Sequence, residues 1–214
     1  MHNIGLNNAI AVGHGRRHQS DAFLGAVMNY QKIICWGDSQ TFGARTYGCY
    51  PMYLAQMLDS RTRYTWRAIN LSTNGHTARD LWFRLGQELT TVNDVHQACI
   101  LIGANDVGNG SPEDLFEEYY RQILKSLQIH HFRSVFCGEI PPIWPDGHAF
   151  FPAKTRDRRN AYNAAIKRCI ERSSIARLVK FPTLSPDCFA DPVHFHETGN
   201  KVVAHAFAEA IMAF

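Results

Sequence analysis

An unbroken apolar run, Ile33-Ile34-Cys35-Trp36, stops at Gly37-Asp38-Ser39, and a second glycine follows at Gly43. A short uncharged run bounded by glycine reads as a strand buried on both faces, as in a parallel sheet. No other stretch constrains the fold as much, because such a strand must be covered by a layer on each side. The run also delivers a hydroxyl to the carboxyl end of a strand, where open parallel sheets bind their ligands. A serine there can be a rigidly held nucleophile or a simple helix cap. Three residues alone do not decide between these.

The rest of the chain supplies the layers. Residues 51–58 read as a helix with Pro51 in its first turn. Residues 64–71 are β-rich and give a second strand. The loop Ser72-Thr73-Asn74-Gly75-His76-Thr77 follows, with a positive-φ signal at Asn-Gly, and Thr77 can cap a helix over 78–89. Cys99-Ile100-Leu101-Ile102 is a third strand, ended by Gly103-Ala104-Asn105-Asp106. Ser111-Pro112-Glu113-Asp114 starts a helix, with Ser111 as cap. Its expected apolar stripe is Leu115, Tyr119, Ile123 and Leu127. Residues 134–138 form a fourth strand. A proline-rich loop holding Trp144, Phe150 and Phe151 then leads to a basic helix over 154–172. Residues 178–181 make a fifth strand, 191–200 a polar loop, and 201–214 a closing helix with Val203, Phe207 and Ala210 inward. Strands alternating with helices call for an α/β architecture, a parallel sheet with helices on both faces.

The 214-residue chain suits a single domain with a sizeable core. Its net charge of +3 and pI of about 8.6 are too weak and dispersed for a nucleic-acid surface. No stretch has the length and apolarity of a membrane span. Neither nucleic acid nor a membrane is therefore expected as a partner. Of the six cysteines, Cys35, Cys99 and Cys137 sit in apolar runs and serve as small hydrophobes. With no secretory signal, thiols in a cytoplasmic protein are expected, and a Cys49–Cys188 bridge stays open. Residues 1–29, with His2, His14, His18 and Arg16-Arg17, do not fit the strand pattern. They read as an N-terminal extension ahead of a domain spanning 30–214.

Three loops thus lie at strand carboxyl ends, carrying Ser39, Gly75 and Asn105, and a fourth carries Asp191 and His194. A serine hydroxyl is a weak nucleophile at neutral pH and needs a base. His194 can supply it, and Asp191, three residues earlier, can turn back to hold the imidazole Nδ1–H. The backbone amides of Ser39 and Gly75, with the Asn105 side-chain amide, can surround a developing oxyanion. Glycine at position 75 lets the backbone come close to a substrate.

Gly37-Asp38-Ser39, Asn74-Gly75, Gly103-Ala104-Asn105-Asp106 and Asp191-Pro192-Val193-His194, with Gly199 beyond, resemble in order the four sequence blocks of the SGNH (GDSL-type) hydrolases. The resemblance runs from Lys32 to the C-terminus. It implies a three-layer, flavodoxin-like fold with a five-stranded parallel sheet between helices. It also implies hydrolysis of a small-molecule carboxylic ester through an acyl-serine; no metal-ligand motif is present in the sequence, and no cofactor or metal is expected. By the same resemblance Ser39 is the nucleophile, His194 the base and Asp191 the residue that orients it. Ser39, Gly75 and Asn105 form the oxyanion hole. Gln40 stands where an apolar residue commonly follows the serine, and His196 where asparagine is common.

Rival motifs fail on single residues. Gln40-Thr41 follows Ser39 where the nucleophile elbow of α/β-hydrolases requires x-Gly. Asn109 replaces the lysine of a phosphate-binding loop, and Gly13-x-Gly15 lacks the third glycine of a dinucleotide fingerprint. His194-x-His196 reads as a base with a neighbour, not as a metal pair. Trp144 and His196 are the expected substrate-binding residues. The basic run Arg156-Asp157-Arg158-Arg159 reads as a solvated helix face or a lure for an anionic substrate. Acyl transfer or thioester cleavage on the same site is an alternative, as is a binding module that retains the fold. A binding module has no need of all four blocks.

Overall fold

The computed structural model describes residues 29–143 and 155–214. Its centre is a five-stranded sheet: β1 (Tyr30–Gly37), β2 (Thr65–Asn70), β3 (Gln97–Leu101), β4 (Ser134–Gly138) and β5 (Ala176–Val179), in the order β2-β1-β3-β4-β5. Every neighbouring pair is parallel. A parallel neighbour cannot be reached by a tight turn, so each connection crosses a face of the sheet. The helices are α1 (Ser39–Phe42), α2 (Tyr50–Arg61), α3 (Ala78–Thr91), α4 (Ala104–Asn109), α5 (Glu113–Ile129), α6 (Thr155–Glu171) and α7 (Glu197–Met212). The expected flavodoxin-like sheet between two helix layers is what the chain forms.

Alternation along the strands builds two cores. Ile34, Trp36, Ala98, Ile100, Val135 and Cys137 face α3, α5 and α6, where Phe116 stacks on Tyr162 with ring centroids 4.4 Å apart. Ile33, Cys35, Cys99, Leu101 and Phe136 face α2 and α7, where Tyr50 stacks on Phe207 at 5.0 Å. Burying one such large apolar side chain contributes roughly 1.5–3 kcal/mol before conformational entropy is counted. All six cysteines are thiols, so the Cys49–Cys188 bridge is not formed. Among the described residues, no helix is long and apolar enough to cross a membrane.

Several element ends shift by a few residues, β5 for example lying at Ala176–Val179 and not at 178–181, and three helix readings differ in substance. The buried face of α5 is Phe116, Tyr120, Ile123, Leu124 and Leu127, while Leu115 is exposed. A strict four-residue spacing drifts by about 40° per step around a helix of 3.6 residues per turn. Followed back from Leu127, that row leaves the core face before it reaches Leu115. Ser111 does not cap α5: Pro112 holds the N-cap position in extended geometry, and the Ser111 carbonyl accepts from the Tyr162 hydroxyl. Helix α7 begins at Glu197, so Gly199 and Asn200 lie inside it, both buried. The Cys188 carbonyl oxygen sits 2.1 Å from where a Cβ on Gly199 would stand. Only glycine lets α7 pack this close to the preceding loop.

Chain order in the sheet reverses between β1 and β3, since β1 leads out to β2 on one side and β3 leads to β4 on the other. A crevice opens beyond the carboxyl ends of strands at such a switch point. Ser39 and Asn105 follow the two strands that flank it. The expected 1–29 extension, apart from its last residue, and Trp144, Phe150 and Phe151 fall outside the described residues.

Candidate active site

At the end of β1 the chain turns sharply into α1. Asp38 is the N-cap, its carboxylate accepting from the Gln40 amide at 2.9 Å. An aspartate here satisfies one of the free N–H groups of the first turn. Asp38 is fully buried, and that burial pushes its carboxyl up to about 6, against the lowering effect of the Gln40 amide. Ser39 is the first residue of α1 and is only 7% exposed. Thr41 secures the turn by donating to the Leu101 carbonyl at 3.3 Å.

The fourth loop comes from the far end of the chain. Asp191 Oδ1 accepts from the backbone amides of Val193 at 2.9 Å and His194 at 2.8 Å, so the carboxylate closes its own tight turn. Asp191 Oδ2 lies 2.7 Å from His194 Nδ1. With Nδ1–H directed at the carboxylate, Nε2 is the free acceptor. It stands 2.9 Å from Ser39 Oγ. Burial alone would raise the Asp191 carboxyl, but the His194 amide, its ring and the Val193 amide together hold it below the usual carboxylate range. Arg45 Nε approaches Asp191 Oδ2 at 3.6 Å from a mostly exposed side chain, a contact worth little in water. A small antiparallel bridge between Phe189 and Phe195 braces the loop, with Ala190 N–H donating to His194 O at 2.8 Å and His196 N–H to Cys188 O at 2.7 Å.

The other two loops face the Ser39 turn. Thr73 N–H donates to the Gly37 carbonyl at 3.1 Å, which ties the loop after β2 to the end of β1. Gly75 is left-handed at φ +78°, and a Cβ there would meet no atom within 4 Å. The space beside it is open. Asn105 Nδ2 donates to His76 O at 2.9 Å. That bond uses one of two amide hydrogens and fixes where the other points. Asp106 Oδ2 accepts from Ala78 N at 2.9 Å and so joins the starts of α3 and α4. Burial, with the neighbouring Asp38 charge adding to it, pushes the Asp106 carboxyl up to about 7. Both aspartates thus act as loop-fixing hydrogen-bond acceptors. Thr77 and Asp80 form a reciprocal capping box at the head of α3.

The structure brings Ser39, Asp191 and His194 into one hydrogen-bonded chain. It sets the Gly75 and Asn105 loops side by side. It does not join His196 to them: His196 is the N-cap of α7 and is exposed, and the buried Phe195 separates it from His194 in sequence. Trp144 lies outside the described residues. Among the described residues, no group of three or more His, Cys, Asp or Glu side chains gathers to hold a metal ion. Two features escape the sequence reading. Arg84 donates to the Leu71 carbonyl at 2.7 Å and pairs with Glu88, which in turn accepts from the Trp36 indole at 2.7 Å. The i,i+4 spacing of Arg84 and Glu88 was the available signal. Gln40 donates to the Val193 carbonyl at 2.8 Å.

A model of the GDSL-like lipase/acylhydrolase family matches residues 35–202. The chain belongs to that family. Membership makes it a carboxylic ester hydrolase by class. No curated protein matches in sequence. Among solved structures, the lipase/acylhydrolase from Enterococcus faecalis superposes with a TM-score of 0.71 at 17% identity, covering 86% of this chain and 96% of its own. The acetylxylan esterase Axe2 from Geobacillus stearothermophilus gives 0.69 at 20% identity, covering 85% and 94%. The acetyl xylan esterase AlAXEase gives 0.68 at 19%, covering 84% and 99%. At these identities the likeness is one of fold. The family-typical order of blocks and the three-layer sheet agree.

Proposed function

We propose that Ser39, His194 and Asp191 form the catalytic triad of a serine esterase. The observation that carries this reading is the unbroken chain from Asp191 Oδ2 through His194 to Ser39 Oγ, with links of 2.7 and 2.9 Å. Ser39 Oγ attacks the acyl carbonyl while His194 Nε2 takes its proton. Asp191 holds the imidazole and stabilises the imidazolium that forms. The oxyanion receives the amides of Ser39 and Gly75 and the free hydrogen of Asn105 Nδ2. The C–O bond of the ester then breaks, and the alcohol leaves with the proton from His194. Water, activated by the same imidazole, attacks the acyl-serine and restores the hydroxyl. We take residues 30–214 as the hydrolase domain, 1–29 as its extension, and the thiol state of the cysteines as support for a cytoplasmic setting.

A chromogenic acetate ester and a serine-directed phosphonate test the proposal together. Hydrolysis is expected with the first. With the second, one label is expected, at Ser39 by peptide mapping, with loss of activity in proportion. An active enzyme labelled elsewhere, with Ser39 unmodified, would overturn the assignment. A series of esters of increasing acyl length on the same protein would define the acyl group.

A further inference from the structure

The residue after the nucleophile is polar, and it is buried: Gln40 is 2% exposed. Its side chain spans the gap between the first and last loops of the site, Nε2 donating to Val193 O at 2.8 Å across 153 residues of sequence. The carbonyl it holds belongs to the peptide that joins Val193 to His194. The N–H of that same peptide donates to Asp191 Oδ1 at 2.8 Å. One peptide plane, immediately ahead of the His194 Cα, is therefore gripped at both ends. The dipeptide Ser39-Gln40 faces the dipeptide Val193-His194 through two parallel links: Gln40 to the Val193 backbone, and Ser39 Oγ to His194 Nε2 at 2.9 Å. The first link connects the two loops without using a reacting atom.

We propose that Gln40 is a positioning residue that fixes the His194 imidazole at hydrogen-bonding distance from Ser39. The inference rests on the proposed Ser39–His194 pair. Its physical basis is that the pair consists of two side chains on loops from opposite ends of the chain. Their hydrogen bond must break and re-form as the proton moves to and from the imidazole in each turnover. While it is broken, only links elsewhere keep the loops in register. Apart from the long, mostly exposed Arg45 contact, which is worth little in water, the Asp191 hydrogen bonds are internal to the base loop and set its shape, not its distance from Ser39. Gln40 sets that distance. An apolar side chain at position 40 fills the same space but leaves the Val193 carbonyl unpaired at a part-buried site, and such a group tends to move toward water.

The test compares, at an alkaline pH where even a buried carboxyl ionises, Gln40→Met, which keeps length and volume but removes the donor, with Gln40→Glu, whose carboxylate then opposes the Val193 carbonyl oxygen. Activity on one chromogenic acetate ester, the phosphonate labelling rate of Ser39 and the thermal midpoint are read on each. The expected order of kcat is wild type, then Met, then Glu. The Met variant should lose roughly ten- to a hundred-fold, as for a displacement of up to about 1 Å. KM should stay within about twofold, and the labelling rate should fall in step with kcat. A purely structural role predicts a lower midpoint with the kcat of the folded protein unchanged, and that result would overturn the proposal. If Gln40→Met does not fold, Gln40→Leu is read by the same criteria. His194→Ala in parallel tests the parent reading: full activity there removes the catalytic pair itself, whereas an inactive His194→Ala beside a fully active Gln40→Met removes only the role of Gln40.

Discussion

On one side of Ser39 the groups are paired with each other. The Asp191 carboxylate accepts from the Val193 and His194 amides and from the His194 ring, whose far nitrogen meets Ser39 Oγ. On the other side the groups are held but unspent. Gly75 turns with a positive φ into open space, and Asn105 commits one amide hydrogen to His76 O and keeps the other. On the proposed mechanism the two halves meet different demands. Proton transfer needs a short donor–acceptor distance before substrate arrives. Charge stabilisation needs donors fixed in direction that find their full partner only when the carbonyl oxygen becomes negative. A hole already filled by internal partners would have nothing left to offer the transition state.

The largest expected effect strikes the paired half. His194→Ala should lose nearly all turnover, leaving roughly 10³–10⁴ over the uncatalysed reaction, supplied by the hole and by binding. His196→Ala, two residues on but exposed, should keep most of kcat. If the two variants exchange these outcomes in steady-state assays with folding checked by circular dichroism, the paired half has been drawn around the wrong histidine.

Asn105→Ala attacks the unspent half. It should lower kcat by roughly a hundred- to a thousand-fold, the usual loss for one oxyanion donor, with little change in KM. A kcat within a few-fold of wild type would take Asn105 out of the hole. Gly75→Ala is milder. The new methyl has room, so its penalty is the left-handed backbone alone, roughly 1–2 kcal/mol. A lower thermal midpoint with a kcat loss smaller than that of Asn105→Ala is expected. The reverse ranking would mean that the Gly75 loop, not Asn105, dominates the open half.

The smallest effect concerns the support beneath both halves. The Asp106 carboxyl is pushed up to about 7 in the folded protein, against about 3.9 unfolded. Between those values the native state binds more protons than the unfolded one, so this group's contribution to stability falls as pH rises from about 4 to about 7. Asp106→Asn can still accept from Ala78 N and carries no charge to bury. Its stability difference between pH 5 and pH 8, from denaturant midpoints, should be smaller than that of wild type. An undiminished difference would place the pH dependence elsewhere, with Asp38 next in line.

The paired half was the more legible in sequence, because its members sit close together or at a motif. Asp191 and His194 are three residues apart, and one tight turn joins them. The strand ahead of Ser39 was plain from its uncharged run. Less legible was anything that depends on burial against a distant segment. Leu115 and Tyr119 match a four-residue spacing as well as Phe116 and Tyr120 do, and only the packing of α6 on α5 separates them. Gln40 looked like no more than a departure from the usual apolar residue, since its partner is a backbone carbonyl, which has no signature in sequence. Gly199 fell in an expected loop because its need, the Cys188 carbonyl against α7, is also a backbone contact.

His194 meets Ser39 across 155 residues of chain. On the proposed mechanism, a ribosome adding about 5–20 residues per second needs on the order of ten to thirty seconds after making the serine before the histidine exists. Throughout that interval the nascent chain carries a serine with no base beside it. The α7 helix, which covers the Tyr50 side of the sheet, follows His194 in the chain. Completion of that hydrophobic layer and onset of hydrolysis therefore fall in one late step, so the order of residues along the chain delays reactivity until the fold is closed.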